Sequence, residues 1–181
     1  MIVRRARIED SKAIARVHVD SWRSTYAGML PEQTLLKLSS AKREARWWRQ
    51  VLGRVHRRHY VYVAEDETDG VVGFISGGAS RDRELDAEGE VYALYLLDSY
   101  HGKGIGKALF LRLAQKLRDT CGKSLTVWVL AENPSRFFYE AIGGRRIALR
   151  TEALGDADVQ EVAYGWDDID ALVAPSRSNR P

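Results

Sequence analysis

Three glycines stand close together in the segment YHGKGIGKAL, which spans residues 100–109. Gly102, Gly104 and Gly106 follow an apolar run at residues 91–97 and precede a helical pattern. Without side chains there, several backbone N–H groups can point outward together at the positive end of a helix. Such a turn binds anions, and its usual occupant is a phosphate or a pyrophosphate. The spacing therefore predicts a site for a phosphate-bearing ligand.

Two other phosphate-binding loops do not fit this spacing. A Walker A loop requires G-x-x-x-x-G-K-S/T, but the chain has His101 at the first glycine and Ala108 at the hydroxyl position. A dinucleotide fingerprint requires G-x-G-x-x-G, and its third glycine would fall on Lys107 or Leu109. A ligand-free turn is the remaining alternative, because glycine is favoured in any tight turn.

The spacing that fits is His101 followed by Gly104 and Gly106. It resembles the Q/R-x-x-G-x-G/A loop of the GNAT superfamily of N-acetyltransferases, which binds the pyrophosphate of acetyl-CoA. The chain departs from this pattern at the first position, where it has His101 instead of Gln or Arg. Contacts from backbone amides do not depend on that side chain.

A second segment, NPSRFFYEAIGG at residues 133–144, resembles the second cofactor motif of the same superfamily, with a loose alignment at Ser135 and Arg136. Local structure offers another explanation, with Asn133 as a helix N-cap, Pro134 at the first helical position and Gly143 at the stop. The two motifs stand in the family's order with a predicted strand between them. The resemblance covers residues 89–144 and, less closely, residues 19–31.

The resemblance implies direct transfer of an acetyl group from acetyl-CoA to an amine. The pantetheine arm would lie along exposed backbone at Leu94 and Leu96, where a splay after the fourth strand would free those groups and an N–H would stabilise the thioester oxygen. Tyr139 is the expected general acid, and Glu90 is the expected base, acting through water. The residues expected to bind the cofactor are Leu94, Tyr95, Leu96, His101, Gly102, Lys103, Gly104, Ile105, Gly106, Lys107, Asn133, Arg136 and Tyr139.

The expected acceptor is a primary amine of a small molecule or a peptide. Trp22, Tyr26 and Tyr92 are candidates for its pocket, although helix-spaced aromatic residues also fit a core. The acidic loop at residues 82–90 would attract a cationic amine. A non-catalytic acyl-CoA sensor is the main alternative, since it needs neither Tyr139 nor Glu90. No metal site is expected.

Composition limits the other classes of function. The 181 residues contain 28 Lys and Arg against 25 Asp and Glu, and no basic block alternates with aromatic residues, so nucleic acid is not an expected partner. No apolar run is long enough to span a membrane. A single cysteine, Cys121, and an N-terminus without a signal-peptide pattern favour a cytoplasmic location. A homodimer through the C-terminal strands stays open.

These residues require a scaffold of alternating strands and helices. The apolar run at 91–97 predicts a central strand, and the helix predicted to begin at Lys103 has one buried face, formed by Ile105, Leu109, Leu113 and Leu117. The element order is β-α-α-α-β-β-β-α-β-α-β-β, which indicates an α+β class. The resemblance implies a mixed, mostly antiparallel sheet of about six to seven strands with about four to five helices. Residues 1–173 are expected to form a single N-acetyltransferase domain, and residues 174–181 a polar, flexible tail.

Overall fold

The computed structural model describes residues 1–26, 41–53, 58–154 and 157–173. The strands in these ranges are β1 (Ile2–Arg5), β2 (His59–Asp66), β3 (Gly70–Ala79), β4 (Gly89–Leu96), β5 (Leu125–Leu130), β6 (Arg145–Leu154) and β7 (Ala157–Trp166). The α-helices are α1 (Ser11–Tyr26), α2 (Ala41–Gly53), α3 (Ile105–Thr120), α4 (Arg136–Ala141) and α5 (Asp170–Val173). The predicted helix start at Pro31 and the predicted tail at 174–181 lie outside the described residues.

All seven strands belong to one sheet, in the order β1-β2-β3-β4-β5-β7-β6. Neighbouring strands are antiparallel except β4 and β5, which are parallel. The parallel pair is joined by α3, so strand, glycine loop, helix and next strand form a β-α-β unit. The predicted α+β class and mixed, mostly antiparallel sheet are confirmed.

Helices cover both faces of this sheet. On one face α1 and α2 bury Ile14, Val17 and Trp48 against Val63 of β2 and Phe74 of β3. On the other face α3 packs against β2, β3 and β4, and α4 and the segment around α5 extend the same core. The sheet is therefore the middle layer of three, and a site that lies between its strands is reached from either helical layer.

The predicted apolar face of α3 is the face that the sheet buries. Leu109, Leu113 and Leu117 have no exposed surface, and Ile105 is only 7% exposed. Residues four apart lie on one side of a helix, so this stripe points to the sheet. The packing fixes the direction of α3, and with it the direction in which its N-terminus faces.

A β-bulge interrupts β4 at the point where the sheet opens. The register with β3 shifts between Ser76 and Gly77, which leaves Tyr92 as an extra residue in β4. On the other side of β4, pairing with β5 ends at Val91 and Val127. A bulge bends its strand and increases the local twist. Beyond Val91, β4 and β5 therefore diverge and leave a gap within the sheet.

Two predicted helix starts are wrong by a few residues. Helix α3 begins at Ile105 with Gly104 as its N-cap, not at Lys103. Helix α4 begins at Arg136, so Asn133 is not its N-cap and Pro134 is not its first residue. The Asn133 Oδ1 atom instead accepts a hydrogen bond of 2.8 Å from the backbone N–H of Ser135, which forms a turn before the helix.

Three properties of the described part of the chain bear on function. The cysteine, Cys121, is free and partly buried. Across the described ranges, no group of three or more His, Cys, Asp or Glu side chains is arranged to hold a metal ion. No helix in those ranges is both long enough and apolar enough to cross a membrane.

Candidate active site

The glycine loop has a backbone that only glycine adopts easily. Gly102 and Gly104 have φ values of +72° and +76°, and a Cβ at either position would meet nothing within 4 Å. Conformation rather than space therefore requires glycine there. The N–H groups of Ile105, Gly106 and Lys107 lie in the first turn of α3, where no carbonyl of the helix reaches them. That turn contains no acidic residue, so donors and helix dipole together attract an anion.

A cavity of about 800 Å³ fills the gap between β4 and β5. Its walls include Leu94 and Leu96, which pack toward α3, and Tyr95, which packs toward α1 and α2. Since side chains from both faces of β4 border it, the cavity passes through the sheet from one helical layer to the other. We call its two openings the α3 end and the α1 end.

The α3 end is bordered by the glycine loop and by α4. It contains Gly102, Gly104, Ile105, Gly106, Lys107, Asn133, Phe138 and Tyr139. The α1 end is bordered by α1 and by the faces of β4, β5 and β7 that lie toward α1. It contains Trp22, Tyr26, Tyr95, Trp128, Leu130 and Glu161. Tyr92 also borders the cavity, at the bulge.

The peptide groups of β4 at this gap alternate in direction. The Leu96 carbonyl accepts hydrogen bonds from Ser21 Oγ at 3.3 Å and from His101 Nε2 at 2.9 Å, so it faces away from β3. Peptide groups two residues apart in a strand point the same way. The N–H and C=O of Leu94 therefore face the gap, where β5 no longer pairs with them.

Tyr139 lies on α4 with its side chain against the cavity. The residue is only 6% exposed, yet its hydroxyl makes no hydrogen bond with any described residue. Burial, and then the nearby hydroxyl of Tyr26, raise the pKa of Tyr139 above its usual value. The phenol is therefore protonated at neutral pH, and within the described ranges its O–H group has no partner.

The aromatic side chains of the α1 end contact one another. Trp22 Nε1 donates a hydrogen bond of 2.8 Å to Tyr95 Oη, and the rings of Trp22 and Tyr26 lie 4.8 Å apart. Burial raises the pKa of Tyr26 and raises that of Tyr95 well above its usual value. These phenols are neutral at ordinary pH, so they add polarity without charge.

Among the described residues, Glu161 of β7 is the carboxylate on the cavity wall, and the sequence analysis did not identify it. Its Oε2 atom accepts hydrogen bonds from Arg150 Nε at 2.8 Å and from Arg150 Nη2 at 2.7 Å. The guanidinium of Arg150 also lies 4.1 Å from the ring centre of Trp128, another wall residue that the sequence analysis missed. The alternation of side chains along a strand could have identified both residues. Val127, Val129 and Val162 face the core on the α3 side, so their neighbours Trp128 and Glu161 face the α1 side.

Glu90 does not border the cavity. Its carboxylate is buried and binds Arg81, through the backbone N–H at 2.8 Å and through the guanidinium at 3.1 Å. The same guanidinium lies 3.9 Å from the ring centre of Tyr92, which does border the cavity. Tyr139 therefore borders the cavity, whereas the Glu90 carboxylate is separated from it and is ion-paired with Arg81.

Two cationic side chains predicted to bind the cofactor also point elsewhere. The Lys103 ammonium lies 4.7 Å from the ring centre of Tyr100, and the Arg136 guanidinium lies 3.5 Å from the carboxylate of Glu140. Neither residue borders the cavity, whereas Lys107 does. Their contacts with a cofactor stay predictions.

Comparison with known proteins agrees with this architecture. A sequence model of the acetyltransferase (GNAT) family matches residues 19–143. The chain is also 39% identical over 170 residues to the uncharacterized N-acetyltransferase YuaI of Bacillus subtilis (strain 168). This alignment covers 94% of this chain and 95% of that protein. The chain therefore belongs to the acetyltransferase (GNAT) family and is an acetyltransferase.

Solved structures of low sequence identity share the fold. The PaiA N-acetyltransferase of Thermoplasma acidophilum, solved in complex with coenzyme A, superposes with a TM-score of 0.71 at 22% identity, covering 89% of this chain and 96% of that one. An N-acetyltransferase of Staphylococcus aureus Mu50 gives a TM-score of 0.71 at 22% identity, covering 92% of this chain and 97% of that one. At this identity both are similar in fold alone.

Proposed function

We propose that the protein transfers an acetyl group from acetyl-CoA to a primary amine of a small molecule or peptide, by direct attack within a ternary complex. The observation that carries the proposal is the cavity through the sheet, with an anion-binding turn at one end and a separate aromatic chamber at the other. Two ligands can enter from opposite sides and meet between β4 and β5. The coenzyme A bound to the Thermoplasma protein supports the choice of donor.

The α3 end fits a diphosphate group. The left-handed backbone at Gly102 and Gly104 turns the amides of the loop toward the start of α3, and Lys107 adds a positive charge at the wall. The volume of the cavity also lies in the range of ligand pockets, about 300–1,000 Å³. Acetyl-CoA would supply the activated thioester. Residues of this chain would align it, stabilise the developing negative charge and transfer the protons.

The free edge of β4 suits an extended ligand that carries amide groups. An added chain can pair with the N–H and C=O of Leu94 as a further strand would, and hydrogen bonds of this kind align it. An N–H that faces the gap can also donate to a carbonyl oxygen as negative charge develops on it. We assign the alignment to Leu94 and Leu96.

Proton transfer needs an acid for the leaving thiolate and a base for the amine. We assign the acid to Tyr139, because its O–H borders the cavity and is bound to no other described residue. Glu90 was predicted as the base. It would act through water, since its carboxylate lies behind Arg81 and away from the cavity wall.

The test is release of free thiol from acetyl-CoA with a panel of amines and peptide N-termini, comparing wild type with Tyr139→Phe. We expect amine-dependent release that falls about 100-fold or more in the variant, the usual size of a general acid's contribution. Tyr164→Phe is the matched control, because Tyr164 stacks on Tyr139 at 6.0 Å while its hydroxyl bonds to Glu140 outside the cavity.

The outcomes separate the alternatives. Loss of turnover in Tyr139→Phe but not in Tyr164→Phe supports the transferase with Tyr139 as its acid. Tight coenzyme A binding without turnover on any amine would instead favour the acyl-CoA sensor. Failure to bind coenzyme A, measured by calorimetry, would contradict the assignment of the glycine loop.

A further inference from the structure

The α1 end has the composition of a site for an organic cation. Within the described ranges, four aromatic residues, Trp22, Tyr26, Tyr95 and Trp128, border it together with one carboxylate, that of Glu161. Aromatic faces attract cations, and Trp attracts them most strongly. Neutral phenols and a carboxylate in one chamber favour positive over negative ligands, while an uncharged amine gains nothing from the carboxylate's charge.

Arg150 orients Glu161 without cancelling its charge. Both hydrogen bonds from Arg150 reach the same oxygen, Oε2, and the other oxygen, Oε1, has no recorded partner among the described residues. Asp82 and Glu152 also approach this guanidinium, each at 3.7 Å. Among the described residues, the Arg150 guanidinium thus lies within 4 Å of three carboxylates, and Arg81, the next cation, is already bound by Glu90, so negative charge is in excess beside the chamber.

Glu161 does not lie on a strand next to β4, where the reaction is proposed to take place. Its strand, β7, is separated from β4 by β5, and adjacent strands stand about 4.8 Å apart. The backbone of Glu161 is therefore about 10 Å from that of β4, and further where β4 and β5 diverge. Reaction takes place at β4 in the proposed function, and the attacking amine must be uncharged. An ammonium group that the Glu161 carboxylate holds is then a second one, one short chain away.

We propose that Glu161 selects an acceptor with a second ammonium group, a short aliphatic diamine, and holds that group at the α1 end while the other amine reaches the gap between β4 and β5. The inference rests on the proposed function and specifies its acceptor class. It assigns Glu161 to acceptor recognition rather than to proton transfer.

The test compares 1,4-diaminobutane with 1-aminobutane, which have equal chain lengths, by thiol release from acetyl-CoA. After division by two for its two reactive ends, the diamine should have a kcat/KM about tenfold higher in the wild-type protein. In Glu161→Gln this ratio should fall to about one, chiefly through KM for the diamine. Glu161→Asp should keep part of the preference, because it keeps the charge.

Glu152→Gln is the matched control, since Glu152 approaches the same Arg150 but does not border the cavity. It should retain most of the diamine preference, and thermal unfolding of all variants checks that they fold. Equal ratios in wild type and Glu161→Gln would overturn the inference while leaving the proposed function intact. Absence of thiol release with every amine would overturn both.

Discussion

The two ends of the cavity are built from different parts of the chain and from different chemical groups. At the α3 end, one continuous segment, residues 102–107, provides backbone N–H groups at the start of a helix. At the α1 end, side chains from α1, β4, β5 and β7 meet although they are far apart in the sequence. Backbone donors bind any ligand with a matching anionic group, whereas side chains can change without altering the fold. The comparison suggests a donor site fixed by the backbone and an acceptor site tuned by side chains.

Among the changes that separate the two ends, the largest effect is expected for the backbone of the α3 end. Gly104→Val should weaken coenzyme A binding by about 30-fold or more, because a β-branched residue at positive φ costs about 2–3 kcal/mol. Isothermal titration calorimetry measures the change in affinity. Gly70→Val is the matched control, since Gly70 has a φ of +68°, similarly open surroundings and no contact with the cavity. Equal affinity in the two variants would mean that the loop does not hold the ligand.

A smaller effect is expected from the side chains of the α1 end. Trp128→Ala should raise KM for the acceptor about tenfold, because it removes an aromatic wall and the stacking partner of Arg150. Affinity for coenzyme A should stay close to wild type, which separates the two ends. Trp47→Ala, on the exposed side of α2, controls for the loss of an indole. A parallel loss of coenzyme A affinity would show that the ends do not act independently.

The smallest effect concerns a phenol of the α1 end at alkaline pH. The folded protein raises the pKa of Tyr95 well above 10, so the unfolded chain loses this proton first and stability falls as pH rises above 10. Between pH 8 and pH 10.5 this one group accounts for about 0.8 kcal/mol. The free energy of unfolding in urea should therefore decline less in Tyr95→Phe than in wild type. Curves that stay parallel across this range would contradict the cause assigned to the pKa shift.

The sequence predicted those parts of the site that depend on local backbone. The turn at Gly104 and Gly106 could be predicted because the spacing of these glycines determines it. The buried face of α3 could be predicted because the apolar residues from Leu109 to Leu117 recur every four positions. Helix starts were less accurate. A short side chain such as Asn133 can cap a helix or form a turn before it, and both leave the same residue types in the sequence.

The sequence did not predict two features that tertiary structure assembles, the position of Glu161 on the cavity wall and the ion pair that holds Glu90. Glu161 borders the cavity only because β7 pairs with β5 and because β4 diverges from β5, and neither fact is visible in the residues around it. Glu90 shows the reverse, since Arg81, nine residues away, binds its carboxylate. The single domain at 1–173, the cytoplasmic location and the homodimer through the C-terminal strands stay predictions.

The bulge at Tyr92 has a consequence for self-association. Unpaired strand edges commonly recruit strands from other molecules, which leads to aggregation. Here the unpaired groups of β4 open inside the sheet, with three strands before β4 and three after the gap. Neighbouring strands and helices on both faces flank this edge, so a slender chain can pair with it while another protein's sheet cannot approach. The unpaired edge of β4 is thus accessible to a small ligand but not to a strand of another copy of the protein.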